Sequence, residues 1–144
     1  AIGISQFKKL DKFKRIRSNN RNKIIKSLKK SSKWKNQFQF IKVPKDISPS
    51  YMVFPILLNS NYKNKKEKFI NYIESKGLET RPVISGSFIN QPSSKLFNLN
   101  KSKDKFQGAE EVQKLGFVIG LHTEKINKDK ISFLKKTLLS IDDI

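Results

Sequence analysis

Apolar residues recur at spacings of three and four along the first thirty residues, a period that is typical of an amphipathic helix. The stripe consists of Ile4, Phe7, Leu10, Phe13, Ile16, Ile24, Ile25 and Leu28. Residues 1–30 are therefore predicted to form one long helix. Residues 1–3 contain no Ser, Thr or Asp that would cap this helix, so we expect the chain to begin inside a larger protein.

The rest of the chain alternates short apolar runs with helical stripes, separated by segments rich in Pro, Asn, Ser and Gly. The runs at 51–58, 78–84 and 117–121 are predicted to be strands, and the stripes at 63–76, 109–115 and 128–139 to be helices. Gly77 is predicted to stop its helix, and Pro55 predicts an unpaired edge on the first strand. Residues 31–50 are interpreted as a surface connection and residues 85–106 as a long loop.

This order of elements predicts an α/β (α+β) fold in which a small three-stranded sheet is covered by helices. Residues 51–144 would form one small α/β domain, and a chain of 144 residues has the usual size of a single domain. The pattern leaves open whether the strands run parallel or antiparallel.

The net charge of +19, from 31 Lys and Arg against 12 Asp and Glu, raises the question of an anionic partner such as nucleic acid. The arginines, the residues best suited to specific phosphate and base recognition, are confined to Arg15, Arg17, Arg21 and Arg81. The lysines are dispersed along the chain. A solvated, lysine-coated surface is therefore favoured, and a free-standing lysine-rich module that binds nucleic acid is the rival hypothesis.

The residue inventory excludes several classes of site. Without cysteine and with a single histidine, the chain offers neither disulfides nor thiolate or His-rich metal sites, and we expect no bound metal. No apolar stretch approaches the roughly 20 residues of a membrane span and no signal peptide is recognisable, so a cytoplasmic location without a membrane partner is expected. The few acids also give no nucleophilic or paired-carboxylate constellation, so no catalytic residue is assigned.

Residues 79–92 form the segment with the most chemical content. Arg81 stands near the start of the predicted second strand, and Ser85, Gly86 and Ser87 follow at its end. Such a strand end can present backbone amides and a guanidinium to an anionic or polyhydroxy ligand. An equal alternative is a plain strand exit, with Arg81 solvated or paired to an acid. His122 follows the third strand, where a lone histidine is more often structural than functional.

Four segments, in chain order, resemble one protein family. Residues 77–88 resemble its G-I-x-T-R-x-x-x-x-G-N stretch, and residues 1–13 its A-A-I-G-L-x-Q-L-x-K-L-D-x-F helix. Residues 51–56 resemble its first small-domain strand, and residues 116–139 its ending. The family is the DegT/DnrJ/EryC1/StrS group, particularly the branch that includes sugar 3-dehydratases. This chain departs from that branch at Ser87, where asparagine is usual.

The resemblance implies the C-terminal small domain of the aspartate-aminotransferase fold, with residues 1–30 as the interdomain helix. The implied partners are a large domain absent from this chain, a second copy in a homodimer and a nucleotide-linked ketosugar. Pyridoxal phosphate or pyridoxamine phosphate would be bound by the large domain. The implied reaction is amino transfer in lipopolysaccharide or deoxysugar biosynthesis, with sugar 3-dehydration as the alternative. The residues implied to line the sugar site are Arg81, Ser85, Gly86 and Ser87, with Gln91 and His122 as further candidates.

Overall fold

A computed structural model describes residues 2–97 and 106–144 of the chain, which form five α-helices and four β-strands. The helices are α1 (Ile2–Phe7), α2 (Leu10–Lys29), α3 (Lys66–Ser75), α4 (Gln107–Leu115) and α5 (Lys128–Leu139). The strands are β1 (Phe38–Gln39), β2 (Val53–Leu58), β3 (Thr80–Arg81) and β4 (Gly116–Gly120). Residues 98–105, a part of the predicted long loop, lie outside the described residues.

The strands form one antiparallel sheet in the order β1-β2-β4-β3. The prediction of a small sheet covered by helices is confirmed, but the predicted number of three strands is wrong. The additional strand, β1, lies in residues 31–50, which were interpreted as a surface connection. Phe38 is only 4% exposed and pairs with Leu58. A two-residue strand that depends on pairing with a distant partner leaves no local period to recognise.

The core lies on one face of the sheet, and β2 shows the alternation that creates this face. Phe54, Ile56 and Leu58 are buried, whereas the residues between them are half-buried. On β4, Phe117 lies opposite Ile56 and Ile119 opposite Phe54, so their side chains share the buried face. Helices cover this face with a set of buried side chains, namely Ile24, Leu28, Phe69, Ile73, Leu138 and Leu139. Burial of each large side chain contributes roughly 1.5–3 kcal/mol.

The prediction for Gly77 is confirmed by the backbone, whereas the prediction of an unpaired edge at Pro55 holds at that residue but not along the whole strand, since β2 is a central strand. Gly77 adopts φ +86°, and the Leu78 N–H donates to the Ile73 carbonyl at 3.0 Å, which closes the end of α3. Pro55 pairs with Val118 on β4. On its other side β1 reaches only Leu57 and Leu58, so Pro55 has no strand partner there among the described residues.

Two other predicted elements are shorter than expected. The helix predicted over residues 1–30 is interrupted between α1 and α2, where the Lys9 N–H donates to the Gln6 carbonyl at 2.9 Å, three residues back. The strand predicted over 78–84 is reduced to β3, Thr80–Arg81. Pro82 has no N–H to donate to a sheet, and Ile84 adopts φ +39°, which turns the chain away from the strand direction.

A polar network connects Asp142, near the C-terminus, to Tyr62 and to Gln37, which precedes β1. The Asp142 carboxylate accepts hydrogen bonds from the Tyr62 hydroxyl at 2.6 Å and from Gln37 Nε2 at 2.9 Å. Gln37 is fully buried and also donates to the Lys33 carbonyl at 2.7 Å. Burial raises the pKa of Tyr62 to about 12, and its hydrogen bond to Asp142 acts in the same direction.

Asp142 is held in its charged form by this network. Burial acts to raise the pKa of Asp142, but the hydrogen bonds from Tyr62 and Gln37, with Lys35 and Lys65 nearby, outweigh it and lower the pKa. Because the folded pKa is lower than the unfolded one, the resulting stability is present above the unfolded pKa of about 3.9 and is lost as the pH falls through the folded value.

We therefore expect Asp142→Asn to lower the free energy of unfolding at neutral pH by about 2 kcal/mol, since hydrogen bonds to a charged group are lost. Urea denaturation measured from pH 7 to pH 2 checks this. The difference from the wild type should stay constant above pH ~4 and shrink below it. The matched control is Asp143→Asn, which removes only an exposed 3.4 Å ion pair with Lys33. Equal losses in the two variants at neutral pH would contradict the role of this network.

Candidate functional site

A cavity of about 580 Å³ opens beside β4, between α2 and α5. Its size falls within the range of small-molecule sites. Its apolar lining comes from Ile24, Val53, Leu78, Val118, Ile119, Leu121, Ile126, Phe133 and Leu134. Charged and polar side chains complete it, namely Asn20, Glu79, Arg81, His122, Glu124, Lys125 and Lys130. Two of the predicted site residues, Arg81 and His122, thus line the same cavity.

Arg81 is positioned by the edge strand β3, where it lies opposite Val118. Its side chain is 75% exposed, and Nη2 lies 2.6 Å from Glu79 Oε1. The structure therefore shows the ion-paired arrangement that was one of the two alternatives for this arginine. An exposed pair of this kind stabilises a fold little, so Arg81 is free to exchange Glu79 for another anion at small cost.

His122 lies at the start of a loop, residues 121–126, that forms one wall of the cavity. The side chain of Asn20, on α2, holds this loop. Asn20 Nδ2 donates to the carbonyls of Glu124 at 2.7 Å and His122 at 3.3 Å, while Oδ1 accepts from the Ile126 N–H at 3.1 Å. The imidazole of His122 is exposed, so its position depends on this backbone anchor.

Sequence reasoning did not identify Asn20. A signal was present: Asn20 is four residues after Ile16 and four before Ile24, so it occupies the apolar stripe of α2. Asn20 is 3% exposed. A polar residue in a buried stripe must find hydrogen-bond partners, and here they lie about one hundred residues further along the chain.

The other four predicted site residues lie on a separate turn. Gly86 adopts φ +65° and its N–H donates to the Val83 carbonyl at 3.0 Å. Gln91 Nε2 donates to the Ser85 carbonyl at 2.8 Å and closes the turn. Ser85, Gly86, Ser87 and Gln91 do not line the cavity. The six predicted residues are thus divided between the cavity and this turn, which we call the 85–91 turn.

Ser87 differs from its neighbours because its side chain is fully buried. Its Oγ has no hydrogen-bond partner among the described residues. Its backbone N–H, in contrast, donates to Gln113 Oε1 of α4 at 2.9 Å. Ser87 therefore contributes to the turn through its backbone and its small size in this structure.

Lys125 and Lys130 line the cavity but are exposed, so neither is enclosed as the lysine of a pyridoxal-type cofactor would be. Such a cofactor forms an imine with a lysine whose pKa is lowered. Burial lowers the pKa of Lys66, but its Nζ donates to the Gln113 carbonyl at 3.0 Å and it does not line the cavity.

In residues 2–97 and 106–144, no group of three or more His, Cys, Asp and Glu could hold a metal ion. No described helix is both long and apolar enough to cross a membrane.

A family model matches most of the chain. The model of the DegT/DnrJ/EryC1/StrS aminotransferase family matches residues 1–133. A GDP-4-keto-6-deoxy-D-mannose 3-dehydratase from Escherichia coli O55:H7 is 25% identical over 140 residues, which cover 96% of this chain and 34% of that protein. The chain therefore spans about a third of the length of this relative.

Solved structures confirm the fold. The E. coli GDP-4-keto-6-deoxy-D-mannose-3-dehydratase with bound hydrated PLP matches with a TM-score of 0.74 at 22% identity, over 95% of this chain and 33% of that one. A Helicobacter pylori aminotransferase involved in the biosynthesis of pseudoaminic acid matches with a TM-score of 0.73 at 16% identity, over 98% of this chain and 36% of that one. Both support the predicted domain of the aspartate-aminotransferase fold.

The anchor of the cavity wall gives a stability prediction. Asn20→Ala should lower the free energy of unfolding by about 3 kcal/mol, because it leaves the Ile126 N–H and two carbonyls without their partner. Urea denaturation measures this loss. The control is Asn19→Ala, an exposed asparagine next to it on the same helix. If both variants unfold at the wild-type urea concentration, the loop does not depend on Asn20.

Proposed function

Because the chain belongs to the DegT/DnrJ/EryC1/StrS aminotransferase family, we propose that it is the C-terminal small domain of a pyridoxal-phosphate-dependent enzyme that transfers an amino group to a nucleotide-linked ketosugar. The match of residues 1–133 to a single family model carries this proposal. The chain's share of about a third of its relatives supports the view that a larger domain precedes it in the complete protein.

A second candidate reaction is 3-dehydration of the sugar. It is favoured by the relative with 25% identity over 96% of this chain, which is a GDP-4-keto-6-deoxy-D-mannose 3-dehydratase. In both reactions the substrate class is a nucleotide-linked ketosugar, and the name of this relative points to a 4-ketosugar for the dehydration. The family resemblance of the 85–91 turn supports its placement at the sugar.

The cofactor is proposed to be held by the part of the protein outside this chain. Pyridoxal phosphate or pyridoxamine phosphate, when bound, supplies the electron sink for the bond changes at the sugar. The residues of this chain would bind and orient the substrate. Arg81 has a charged, exposed guanidinium for an anionic group. In the 85–91 turn the exposed Ser85 hydroxyl is available to a sugar, whereas Ser87 is buried and would act through the shape of the turn.

The interdomain contact is proposed to involve α1. Ile4 and Phe7 are 70% and 75% exposed, and such residues on one helix are normally covered by a partner. A large domain on α1 would bury them. The homodimer and the role in lipopolysaccharide biosynthesis are further parts of the proposal, and they are supported by the family resemblance alone. The cytoplasmic location, expected from the sequence, is also part of the proposal.

The reaction is tested with the full-length protein. Purified protein would be supplied with pyridoxal phosphate, glutamate and GDP-4-keto-6-deoxy-D-mannose, and the product identified by mass spectrometry. We expect an amino sugar with one nitrogen from ¹⁵N-labelled glutamate. A nitrogen-free product that lacks one hydroxyl oxygen would replace amino transfer by the dehydration alternative. An unaltered substrate across a panel of nucleotide-linked 4-ketosugars would contradict both.

Arg81→Ala in the full-length enzyme should raise the KM for the sugar nucleotide or lower kcat by about tenfold or more, because a charge-assisted contact is lost. Its melting temperature should hardly change, since the exposed pair with Glu79 stabilises little. Steady-state kinetics and thermal denaturation check both. Lys128→Ala, at an exposed position that does not line the cavity, is the control. Full activity with a clearly lower melting temperature would make Arg81 a structural residue.

A further inference from the structure

The side chain of Gln113, on α4, holds the 85–91 turn at two points. Its Oε1 atom accepts hydrogen bonds from the Ser87 backbone N–H at 2.9 Å and from Asn90 Nδ2 at 2.9 Å. Asn90 Nδ2 also donates to Glu110 Oε1, one helical turn earlier on α4, at 2.8 Å. One face of α4 is therefore bonded to both ends of the short 3-10 helix Phe88–Asn90.

Gly86 lies directly against the same side chain. A Cβ atom at this position would lie 3.0 Å from both Cγ and Cδ of Gln113 and 3.1 Å from Oε1. The backbone of Gly86 also has φ +65°, in the left-handed region that favours glycine. The shape of the turn thus depends on two features. Residue 86 must lack a side chain so that Gln113 can pack against it, and Gln113 must end in a hydrogen-bond acceptor.

The other end of Gln113 is fixed to the body of the domain. Its backbone carbonyl accepts a hydrogen bond from Lys66 Nζ of α3 at 3.0 Å. Helix α4 continues into β4 without a connecting loop, since α4 ends at Leu115 and β4 begins at Gly116. Because β4 is a central strand, Gln113 connects the 85–91 turn to the sheet.

We propose that Gln113 is a positioning residue, which holds the 85–91 turn in the shape that binds the nucleotide-linked sugar. This inference rests on the proposed function, in which the turn contacts the sugar. Gln113 acts on the turn through the Ser87 amide and Asn90, so its loss changes substrate binding more than the chemical step.

The test uses the full-length protein with Gln113→Leu, which keeps the size of the side chain and removes the acceptor. We expect the KM for the sugar nucleotide to rise about tenfold while kcat stays within about twofold. Amide hydrogen exchange, followed by mass spectrometry, should become faster in peptides that cover residues 85–91. Gln113→Glu retains an acceptor oxygen at the same distance along the side chain. It should therefore keep KM and the exchange rate of residues 85–91 close to their wild-type values.

Two further variants distinguish the loss of the contact between Gln113 and the 85–91 turn from a general effect of the substitution on α4. Gln107→Leu makes the same substitution at an exposed position of α4 and should leave KM and exchange unchanged. Gly86→Ala disturbs the same contact from the turn and should raise KM in the same way as Gln113→Leu. If Gln113→Leu does not fold, Gln113→Met, which also removes the acceptor, takes its place in both measurements.

The kinetic and the hydrogen-exchange measurements together distinguish a failure of this inference from a failure of the proposed function. Unchanged exchange at residues 85–91 in Gln113→Leu overturns the inference, because Gln113 then does not hold the turn. Faster exchange with an unchanged KM also overturns it, because the turn is then away from the sugar even though the enzyme acts on that sugar. A failure of the proposed function itself would be seen in the wild-type protein, as absence of any reaction with nucleotide-linked sugars.

Discussion

The pairing of β2 with β4 is the interaction on which the rest of the domain depends. These two central strands share five paired positions and place Phe54, Ile56, Phe117 and Ile119 on one buried face. β4 begins where α4 ends and is followed by residues 121–126. Its position therefore determines where Gln113 and His122 lie. Both candidate surfaces, the cavity and the 85–91 turn, are attached to this one strand.

Two buried side-chain amides add hydrogen bonds to the apolar packing of the core. Asn20 joins α2 to residues 122–126, and Gln37 joins the segment before β1 to Asp142 near the C-terminus. Each is at most 3% exposed, and each makes at least three hydrogen bonds. Removal of either amide would leave backbone groups without a hydrogen-bond partner in a site closed to water. This costs more free energy of folding than the loss of a hydrogen bond at the surface. Asn20 thus connects α2 to the segment after β4, and Gln37 connects residues near the C-terminus to the segment before β1.

The parts of the fold that were predictable from sequence are those determined by nearby residues. Helix α5 begins after Asn127, whose side chain accepts from the Lys130 N–H, and it spans the predicted residues. Gly77 likewise marks the end of α3 within its own turn of helix. β1 was missed because its two residues are held by pairing with Leu57 and Leu58, nearly twenty residues away. The second strand was overextended because the apolar run Val83–Ile84 continues past Pro82 into a turn.

The candidate site was predictable to a similar extent. Arg81 and His122 do line one cavity, and the 85–91 turn does form a compact unit. The residues that hold these surfaces, Asn20 and Gln113, were missed because their partners lie far away in sequence. The position of Asn20 in the apolar stripe of α2 was a local signal for its burial, but it did not identify its partners. Family resemblance supplied the connection to nucleotide-linked sugars that the residue pattern left open.

In the proposed function, this chain orients the substrate while the part of the protein outside it holds the cofactor. The most direct measurement is a titration of pyridoxal phosphate into the 144-residue chain and into the full-length protein, followed by removal of excess cofactor and an absorbance spectrum. The account predicts a defined cofactor band in stoichiometric amount for the full-length protein and none for the isolated chain, beyond scattered imines on surface lysines. A stoichiometric band that persists in the isolated chain would contradict it.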